Sequence, residues 1–444
     1  MLAACCIYAS TARGQVIGAG TFEVYPSSVY MGGSGLSVPS AAWVLHLGVE
    51  SAIGYDSNLY MSHLSGGAGV FRLRGHLSLL SQPPQNGAQI QAQTVLYRVS
   101  GWVDYRRYFS TTSFVAQADQ LNAATAAELL YKPSQAFALR LEEHLLYTTE
   151  PRNLEVADWG AFSPRIYQSN LIEGVWRPLQ GVLILGIWDQ FRVNHYTQPE
   201  LANLRSIAND IDLYGQLKLF LDTTVRLDLR WQYIRYYDNQ DGSMPVSVPI
   251  RVVAAIHSQL SSWLGASLWL GYGNSLTLGE PVWQSQALSQ DRSPCFQSVI
   301  GGAEVRLHPL SSLNLLLGWS RDFFDSIYAT YYKDDRFYFS YLHSPWRSLS
   351  LRAQLDLYLR GYGALYDPAQ LQYGAQEVTS TQRDDFLITV AAELAYRPLR
   401  FLEIGASYSV LYDQTPTQYL DENGMPISAS FVRHLVLFHL DLAY

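Results

Sequence analysis

The chain has 444 residues, of which 15% are charged, 13% are aromatic and 48% are hydrophobic. Its formal net charge of −8 at pH 7 argues against a protein that binds nucleic acids. No run of about 18 apolar residues occurs anywhere, so the sequence predicts no membrane-spanning helix. Few charges, many aromatic residues and no long apolar run are together typical of a β-protein with one face in lipid.

The first 41 residues have no clear strand pattern. Residues 1–12 are interpreted as the remnant of a signal peptide, because a small, apolar stretch precedes small residues that suit cleavage. A lipoprotein cleavage box that ends at Cys5 is the alternative. Residues 13–41 are rich in Gly, Ser and Val and predict a flexible periplasmic arm. Three cysteines and no Cys or His pair at ligand spacing predict no disulfide framework, no metal site and no cofactor.

From Trp43 onward, apolar and polar residues alternate along repeated segments, as they do in a strand with one apolar and one polar face. In residues 225–233, Val, Leu, Leu, Trp and Tyr alternate with Arg, Asp, Arg and Gln. The same alternation occurs in 43–55, 71–79 and 95–106. These segments are roughly twice as long as the strand of about 5–6 residues that is usual in a soluble protein. They suit strands that cross a membrane at a tilt.

Aromatic residues stand near the ends of the apolar faces, where the girdles of an outer-membrane barrel meet the two membrane interfaces. The residues predicted to form these girdles are Trp43, Tyr55, Tyr131, Phe137, Tyr147, Trp176, Trp188, Trp319, Tyr396 and Tyr408.

A short motif recurs at the ends of predicted strands: Glu, two residues, a large apolar residue, a basic residue and Pro. The copies are Glu128–Pro133, Glu173–Pro178, Glu304–Pro309 and Glu393–Pro398, with a looser copy ending at Pro345. Proline cannot donate to a β-ladder, so the motif marks the place where pairing stops. A new alternation is predicted at a fixed offset after each Pro, which puts Val182, Ile184 and Trp188 on the lipid face. We interpret the motif as one repeated turn, with no ligand role.

The other connections are long and polar, and short turns that alternate with long loops are typical of periplasmic turns and extracellular loops. Nine long loops predict 18 strands. The predicted fold is therefore all-β: a single transmembrane antiparallel up-and-down β-barrel over residues 42–444, with strand one paired to strand eighteen. The predicted long loops are 56–66, 107–116, 150–164, 196–207, 238–247, 273–292, 321–333, 361–382 and 413–429.

The last strand alternates up to an aromatic residue, Tyr444, at the end of the sequence. This ending resembles the terminal signature by which the barrel-assembly machinery recognises its substrates. The predicted location is thus the bacterial outer membrane. The predicted partners are the assembly machinery, outer-membrane lipid and lipopolysaccharide, and no nucleic acid.

The segment Gly54–Tyr60 and the repeated basic-Pro strand ends together resemble β-barrel porins of the "porin 2" type. The resemblance is one of pattern over most of residues 42–444. It implies an outer-membrane barrel without catalytic residues.

Charged residues on the polar faces are predicted to line the lumen and to bind solutes. Opposed guanidinium and carboxylate groups would select solutes by charge and size, whereas the alternative is that they form salt bridges that brace the wall. The predicted function is a channel for small hydrophilic solutes. The candidate residues are Arg72, Arg74, Arg98, Arg106, Arg140, Arg226, Arg230, Arg251, Glu50, Glu142, Asp210 and Asp228.

An outer-membrane barrel for exopolysaccharide export, with periplasmic export partners, is the alternative function. In that reading Trp102 and Tyr214 would stack against sugars inside the lumen. A barrel enzyme is not predicted, because no nearby Ser completes a catalytic set with His144 and Glu142. A plugged transporter would need about 22 strands and a plug domain, for which the arm before Trp43 is too short.

Overall fold

The computed structural model describes residues 36–37, 43–59, 66–81, 95–110, 119–149, 164–220, 222–237, 246–278, 295–326, 329–364, 383–416, 418–420 and 426–444. The predicted signal-peptide remnant and most of the predicted arm lie outside these residues. From the arm, Leu36–Ser37 is described, and it pairs antiparallel with Leu45 and Val44.

Eighteen long strands form one sheet. In chain order they are β1 (Trp43–Asp56), β2 (Ala68–Ser81), β3 (Val95–Phe109), β4 (Gln120–Tyr131), β5 (Phe137–Thr148), β6 (Arg165–Trp176), β7 (Leu183–Tyr196), β8 (Ser206–Phe220), β9 (Thr223–Tyr236), β10 (Val246–Gln259), β11 (Leu264–Leu278), β12 (Gln297–Leu310), β13 (Leu313–Phe324), β14 (Tyr332–Trp346), β15 (Leu349–Tyr362), β16 (Asp384–Leu399), β17 (Leu402–Gln414) and β18 (Phe431–Ala443). In the last long loop, Gln418–Leu420 pairs with Pro426–Ser428.

The sheet closes on itself. Each strand pairs antiparallel with its neighbours in the chain, and β1 pairs with β18, where Ile53 lies opposite Phe438. Closure leaves no sheet edge, which lipid would penalise because it offers no hydrogen-bond partner to backbone N–H and C=O groups. The predicted 18-stranded barrel, including the pairing of its first and last strands, is confirmed.

The seam between β1 and β18 is held by side chains at its extracellular end. Arg433 donates from Nε at 3.1 Å and from Nη2 at 2.6 Å to Oδ2 of Asp56, which is fully buried. The Ser57 backbone N–H donates to the His434 carbonyl at 2.9 Å, and Asn58 Nδ2 donates to the Val432 carbonyl at 3.2 Å. These bonds extend the seam beyond the last residue of β1.

The two faces of the wall differ as the alternation predicts. On β9, the outward side chains of Leu227 and Leu229 are 56% and 46% exposed. The flanking residues Arg226 and Arg230 point inward, and their side chains are less exposed. A closed antiparallel barrel with an apolar exterior and a charged interior is the architecture of the bacterial outer membrane. The chain is an outer-membrane β-barrel.

In the part of the chain that the structure describes, no helix is both long enough and apolar enough to span a bilayer.

The recurring proline motif lies at the short periplasmic turns, in two arrangements. Pro133 and Pro178 follow the last residue of their strands. Pro309, Pro345 and Pro398 lie inside the strand ends, each within a register shift such as that between Leu307 and Leu310. A bulge leaves one residue unpaired, so it accepts a residue that cannot donate a ladder bond.

The predicted fixed spacing between each Pro and the first outward residue of the next strand fails at one turn. The turn after β6 contains a short 3₁₀ segment, Leu179–Gly181, in which all three residues have positive φ. This turn uses one residue more than the offset allows, and a slip of one residue exchanges the two faces of a strand. The prediction for this strand is therefore wrong: Ile184 and Trp188 face the lumen, and Trp188 is buried.

Some strand boundaries also differ from the predicted ones. The 18 strands predicted from the sequence include a third strand at residues 89–106, whereas the described strand begins at Val95 and residues 89–94 lie outside the described part. The strand β11 continues to Leu278, into the predicted loop 273–292. Its ladder with β10 continues to the pair Val246 and Leu278.

Candidate functional site: the lumen wall

The lumen wall is the set of inward-facing side chains of β1–β18. All of the candidate lumen residues predicted from the sequence lie on this wall, since their strand neighbours on either side face outward. Whether any of them binds a solute stays a prediction. They fall into groups on neighbouring strands.

The first group connects β1, β2 and β3 through a chain of ion pairs. Glu50 pairs with Arg72 and lies 3.7 Å from Arg74. Arg74 Nη2 donates to Asp104 at 3.0 Å, and Arg106 lies 3.3 Å from the same carboxylate oxygen. Three guanidinium groups thus share two carboxylates, which leaves a surplus of one positive charge.

The second group is centred on Arg140 of β5, which contacts carboxylates on three strands. It donates to Glu128 at 3.2 Å, pairs with Glu142 and lies 3.8 Å from Glu173. Arg98 of β3 lies directly opposite Glu128 in the register. Its buried Nε has no hydrogen-bond partner among the described residues. This part of the wall carries more negative than positive charge.

The third group lies on β7, β8 and β9. One carboxylate oxygen of Asp210 accepts from Arg192 at 2.9 Å and from Arg230 at 2.7 Å. Next to it, Arg226 pairs with Asp228 at 2.5 Å and lies 4.0 Å from Asp212. The remaining candidate, Arg251 of β10, lies directly opposite Arg230 in the register and therefore adjoins this group.

Guanidinium groups cover aromatic rings at several points of the wall. The Arg226 guanidinium lies 4.0 Å from the centre of the Tyr214 ring, and that of Arg74 lies 5.0 Å from Trp102. The other pairs of this kind are Arg230 over Trp188, Arg336 over Tyr338, Arg336 over Tyr358, Arg360 over Tyr332 and Arg383 over Tyr362. Such cation–π contacts hold the guanidinium plane against the wall.

Glycine on the neighbouring strand allows some of these rings to lie flat. A Cβ on Gly186 would come within 2.2 Å of the Tyr214 ring, and one on Gly318 would come within 2.2 Å of Tyr338. Both glycines lie directly opposite the aromatic residue in the register. The layers from wall to lumen are therefore glycine, ring and guanidinium.

The last residues of β13 and the two residues after it bend into the mouth of the lumen. Phe323 has no exposed surface and stacks on Phe296, with ring centres 4.5 Å apart. Arg251 of β10 donates from Nε to Asp322 at 3.0 Å, and Tyr236 of β9 donates to Asp325 at 2.5 Å. Because β9 and β10 are three or four strands from β13 in the sheet order, these contacts fix the segment across part of the mouth. We call residues 322–326 the mouth segment.

Two carboxylates and a histidine converge near the periplasmic end of the lumen. Ligand atoms of Glu393, Glu403 and His439 lie within 4.8 Å of one another, although they come from three strands. Arg397 donates to Glu403 at 2.7 Å, and Arg352 lies 3.5 Å from Glu393. Sequence spacing could not find this cluster, because the sheet register brings its members together. These two arginines compensate the negative charge of the two carboxylates.

A serine from a neighbouring strand lies beside His144, which spacing along the chain could not show. Ser169 of β6 is directly opposite His144 in the register. Its hydroxyl oxygen accepts a hydrogen bond from Gln190 at 2.8 Å, and no hydrogen bond joins it to His144 among the described residues. The geometry shows no activated nucleophile.

No known family model matches the sequence, and no curated protein matches it. Among solved structures, the chain is similar to the siderophore receptor PirA from Pseudomonas aeruginosa, with 9% identity, a TM-score of 0.43 and coverage of 92% of this chain and 81% of that one. It is also similar to the FrpB iron transporter from Neisseria meningitidis (F3-3 variant), with 8% identity, a TM-score of 0.43 and coverage of 91% and 82%. Likeness at this level carries no argument about function, and it does not support the "porin 2" resemblance beyond an outer-membrane barrel.

Proposed function

We propose that the chain is an outer-membrane channel for small hydrophilic solutes. The proposal rests on the partial exposure of charged side chains on the lumen wall. The side chains of Arg230 and Arg306 are 27% and 34% exposed, although each has a carboxylate partner. A filled barrel would bury these groups. Barrels of about 16–18 strands leave an aqueous channel when nothing fills them, so partial exposure fits water in the lumen.

The ion pairs would then set the local field that a solute meets. The surplus of positive charge on β1–β3 lies beside the surplus of negative charge on β4–β6. A transverse field of this kind orients dipolar solutes and discriminates among charged ones. The aromatic rings take no part in this selection, because guanidinium groups cover them.

Export of a polysaccharide has less support from the same contacts. A sugar stacks on a free aromatic face, but Arg74 covers Trp102 and Arg226 covers Tyr214. An exporter would have to displace both guanidinium groups from their rings and from their carboxylates. Enzymatic activity is not proposed.

The test is conductance of the purified chain in planar bilayers, with neutral and charged sugars added to the bath. A steady open conductance that small sugars reduce supports the channel. An absence of conductance in the wild type and in a variant that loses both anchors of the mouth segment, Asp322→Ala with Asp325→Ala, contradicts it and favours an exporter that opens only with its partners. The control is Lys333→Ala, at an exposed residue of β14 near the same mouth.

A further inference from the structure

Glu393, Glu403 and His439 form a compact cluster on the lumen wall near the periplasmic end of the barrel. They come from β16, β17 and β18, which are neighbours in the sheet. We call these three residues the carboxylate–histidine cluster. The sequence predicts no metal site because it shows no ligand spacing, whereas register between strands assembles this cluster.

The imidazole of His439 is not held by a hydrogen bond among the described residues. Its Nε2 lies 3.6 Å from Oε1 of Glu403, which is too long for a hydrogen bond. Around a tetrahedral ion with bonds of about 2.0–2.2 Å, two ligand atoms lie about 3.4 Å apart. The separation therefore suits two ligands of one ion better than a hydrogen-bonded pair.

A glycine on the neighbouring strand makes room for this imidazole. Gly405 of β17 lies directly opposite His439 in the register. A Cβ at this position would come within 2.3 Å of Nε2 of His439. The ring therefore reaches over β17 toward β16, where Glu393 lies, and a larger residue in place of Gly405 would push it away.

The two arginines beside the cluster hold its carboxylates differently. Arg397 donates from Nε to Oε2 of Glu403 at 2.7 Å, which leaves Oε1 directed at His439. Metal-ligating carboxylates are commonly oriented by a hydrogen bond of this kind. Arg352 lies 3.5 Å from Glu393, and the two side chains are 48% and 29% exposed, so this pair is weak. A bound cation would displace Arg352 and keep Arg397.

A third carboxylate adds to the negative potential beside the cluster. Asp441 lies directly opposite Glu403 in the register, and its partner is His76, at 3.3 Å, rather than an arginine. Glu50, opposite Asp441 on the other side, has arginine partners of its own. A cation that replaces the loosely held arginine therefore meets a favourable field.

We propose that the carboxylate–histidine cluster binds one divalent transition-metal ion of the Zn²⁺ type. One imidazole nitrogen and two carboxylate oxygens are ligands that Zn²⁺ accepts, whereas Mg²⁺ and Ca²⁺ take oxygen ligands. Three protein ligands leave a coordination position for water, so the ion can exchange with the lumen. The site belongs to the folded barrel and does not require that the barrel conducts.

The test is isothermal titration calorimetry of the purified full chain in detergent, without a histidine tag, with Zn²⁺ as the titrant and Mg²⁺ as the comparison. The wild type is expected to bind one Zn²⁺ per chain. His439→Gln and Glu403→Gln each remove one ligand and should raise the Kd by about tenfold or more. Arg352→Gln removes the competing cation and should bind Zn²⁺ at least as tightly as the wild type.

The matched control is His257→Gln, which removes another lumen-facing histidine, on β10, far from β18 in the sheet order. Its Nδ1 lies 2.9 Å from Oγ of Ser267, and Zn²⁺ binding should be unchanged without it. Heat-modifiable migration shows that every variant forms a barrel. A wild type that does not bind Zn²⁺, or that binds Mg²⁺ as tightly, overturns the proposal. Unchanged binding in His439→Gln, equal loss in His257→Gln and weaker binding in Arg352→Gln also overturn it.

Discussion

Two sets of ion pairs in this barrel use the same residue types in different surroundings. At the extracellular rim, the Arg360 side chain has no exposed surface and its partner Asp334 is 6% exposed. In the middle of the lumen, Arg306 and Glu304 are 34% and 12% exposed. The rim pair lies inside a packed cluster with Tyr332 and Tyr362, whereas the mid-lumen pair stays partly exposed on the lumen wall.

This difference indicates which ion pairs stabilise the barrel and which would meet a solute in the proposed channel. A buried pair contributes little net stability when both partners are present, but removal of one partner leaves an uncompensated charge. An exposed pair is solvated in either case and contributes about 0–1 kcal/mol. The rim pairs are therefore structural, and the mid-lumen pairs are free to act in selection.

The largest loss of stability is expected from Arg360→Gln at the rim. The Asp334 carboxylate accepts from Arg360 at 2.9 and 3.0 Å and would lose its cation inside a buried cluster. The free energy of unfolding in lipid vesicles should fall by about 3–5 kcal/mol. The matched control is Arg306→Gln, for which a loss of about 0–1 kcal/mol is expected because its pair is solvated. Equal losses in both variants would remove the distinction between rim and lumen.

The second-largest effect is expected when a change on the outer face of β9 is compared with a change on its inner face. Leu229→Arg puts a charge on the lipid face near mid-depth, which costs about 2–4 kcal/mol. Arg230→Leu changes only the lumen wall, and Asp210 keeps Arg192 at 2.9 Å. Heat-modifiable, membrane-inserted protein should therefore decline strongly in the first variant and little in the second. Comparable loss in both would contradict the assignment of the two faces.

The alternation of apolar and polar residues, together with the loops between them, was sufficient to predict the strands, their number and the closure of the barrel. It also predicted that the candidate lumen residues face inward. It was sufficient because a strand exchanges its faces only when its register slips by one residue. That slip occurs at the turn before β7, where residues 179–181 have positive φ and reverse the expected facing of Trp188. The same slip turns Asp189 outward, whereas the expected facing of this strand would place it in the lumen.

Contacts between distant strands could not be predicted from the alternation. Phe323 lies within the predicted loop 321–333, yet it is buried in the mouth because β13 leaves its neighbour β12 after Arg321. Likewise, the cation–π contact of Arg226 with Tyr214 depends on the exact register between β8 and β9. Alternation fixes the face of a residue, and register fixes its partner.

The smallest change in stability, and the clearest change in selection, is expected from Arg98→Gln with Arg106→Gln. Both side chains face the lumen on β3. Asp104 would keep Arg74 at 3.0 Å after the loss of Arg106, so no buried carboxylate is left without a cation. The loss of stability is therefore expected to be smaller than that of Arg360→Gln, in which the buried Asp334 loses its cation.

Removal of two positive charges from one stretch of the channel should shift its ion selectivity toward cations, since the carboxylates of the neighbouring group remain. The reversal potential under a salt gradient measures this shift. Arg107→Gln serves as the comparison, because Arg107 is an exposed arginine on the outer face of the same strand. A reversal potential that is unchanged in the β3 double variant would mean that ions do not pass these charges. In that case the mid-lumen pairs would brace the wall as the rim pairs do, and the difference between the two sets would be one of exposure alone.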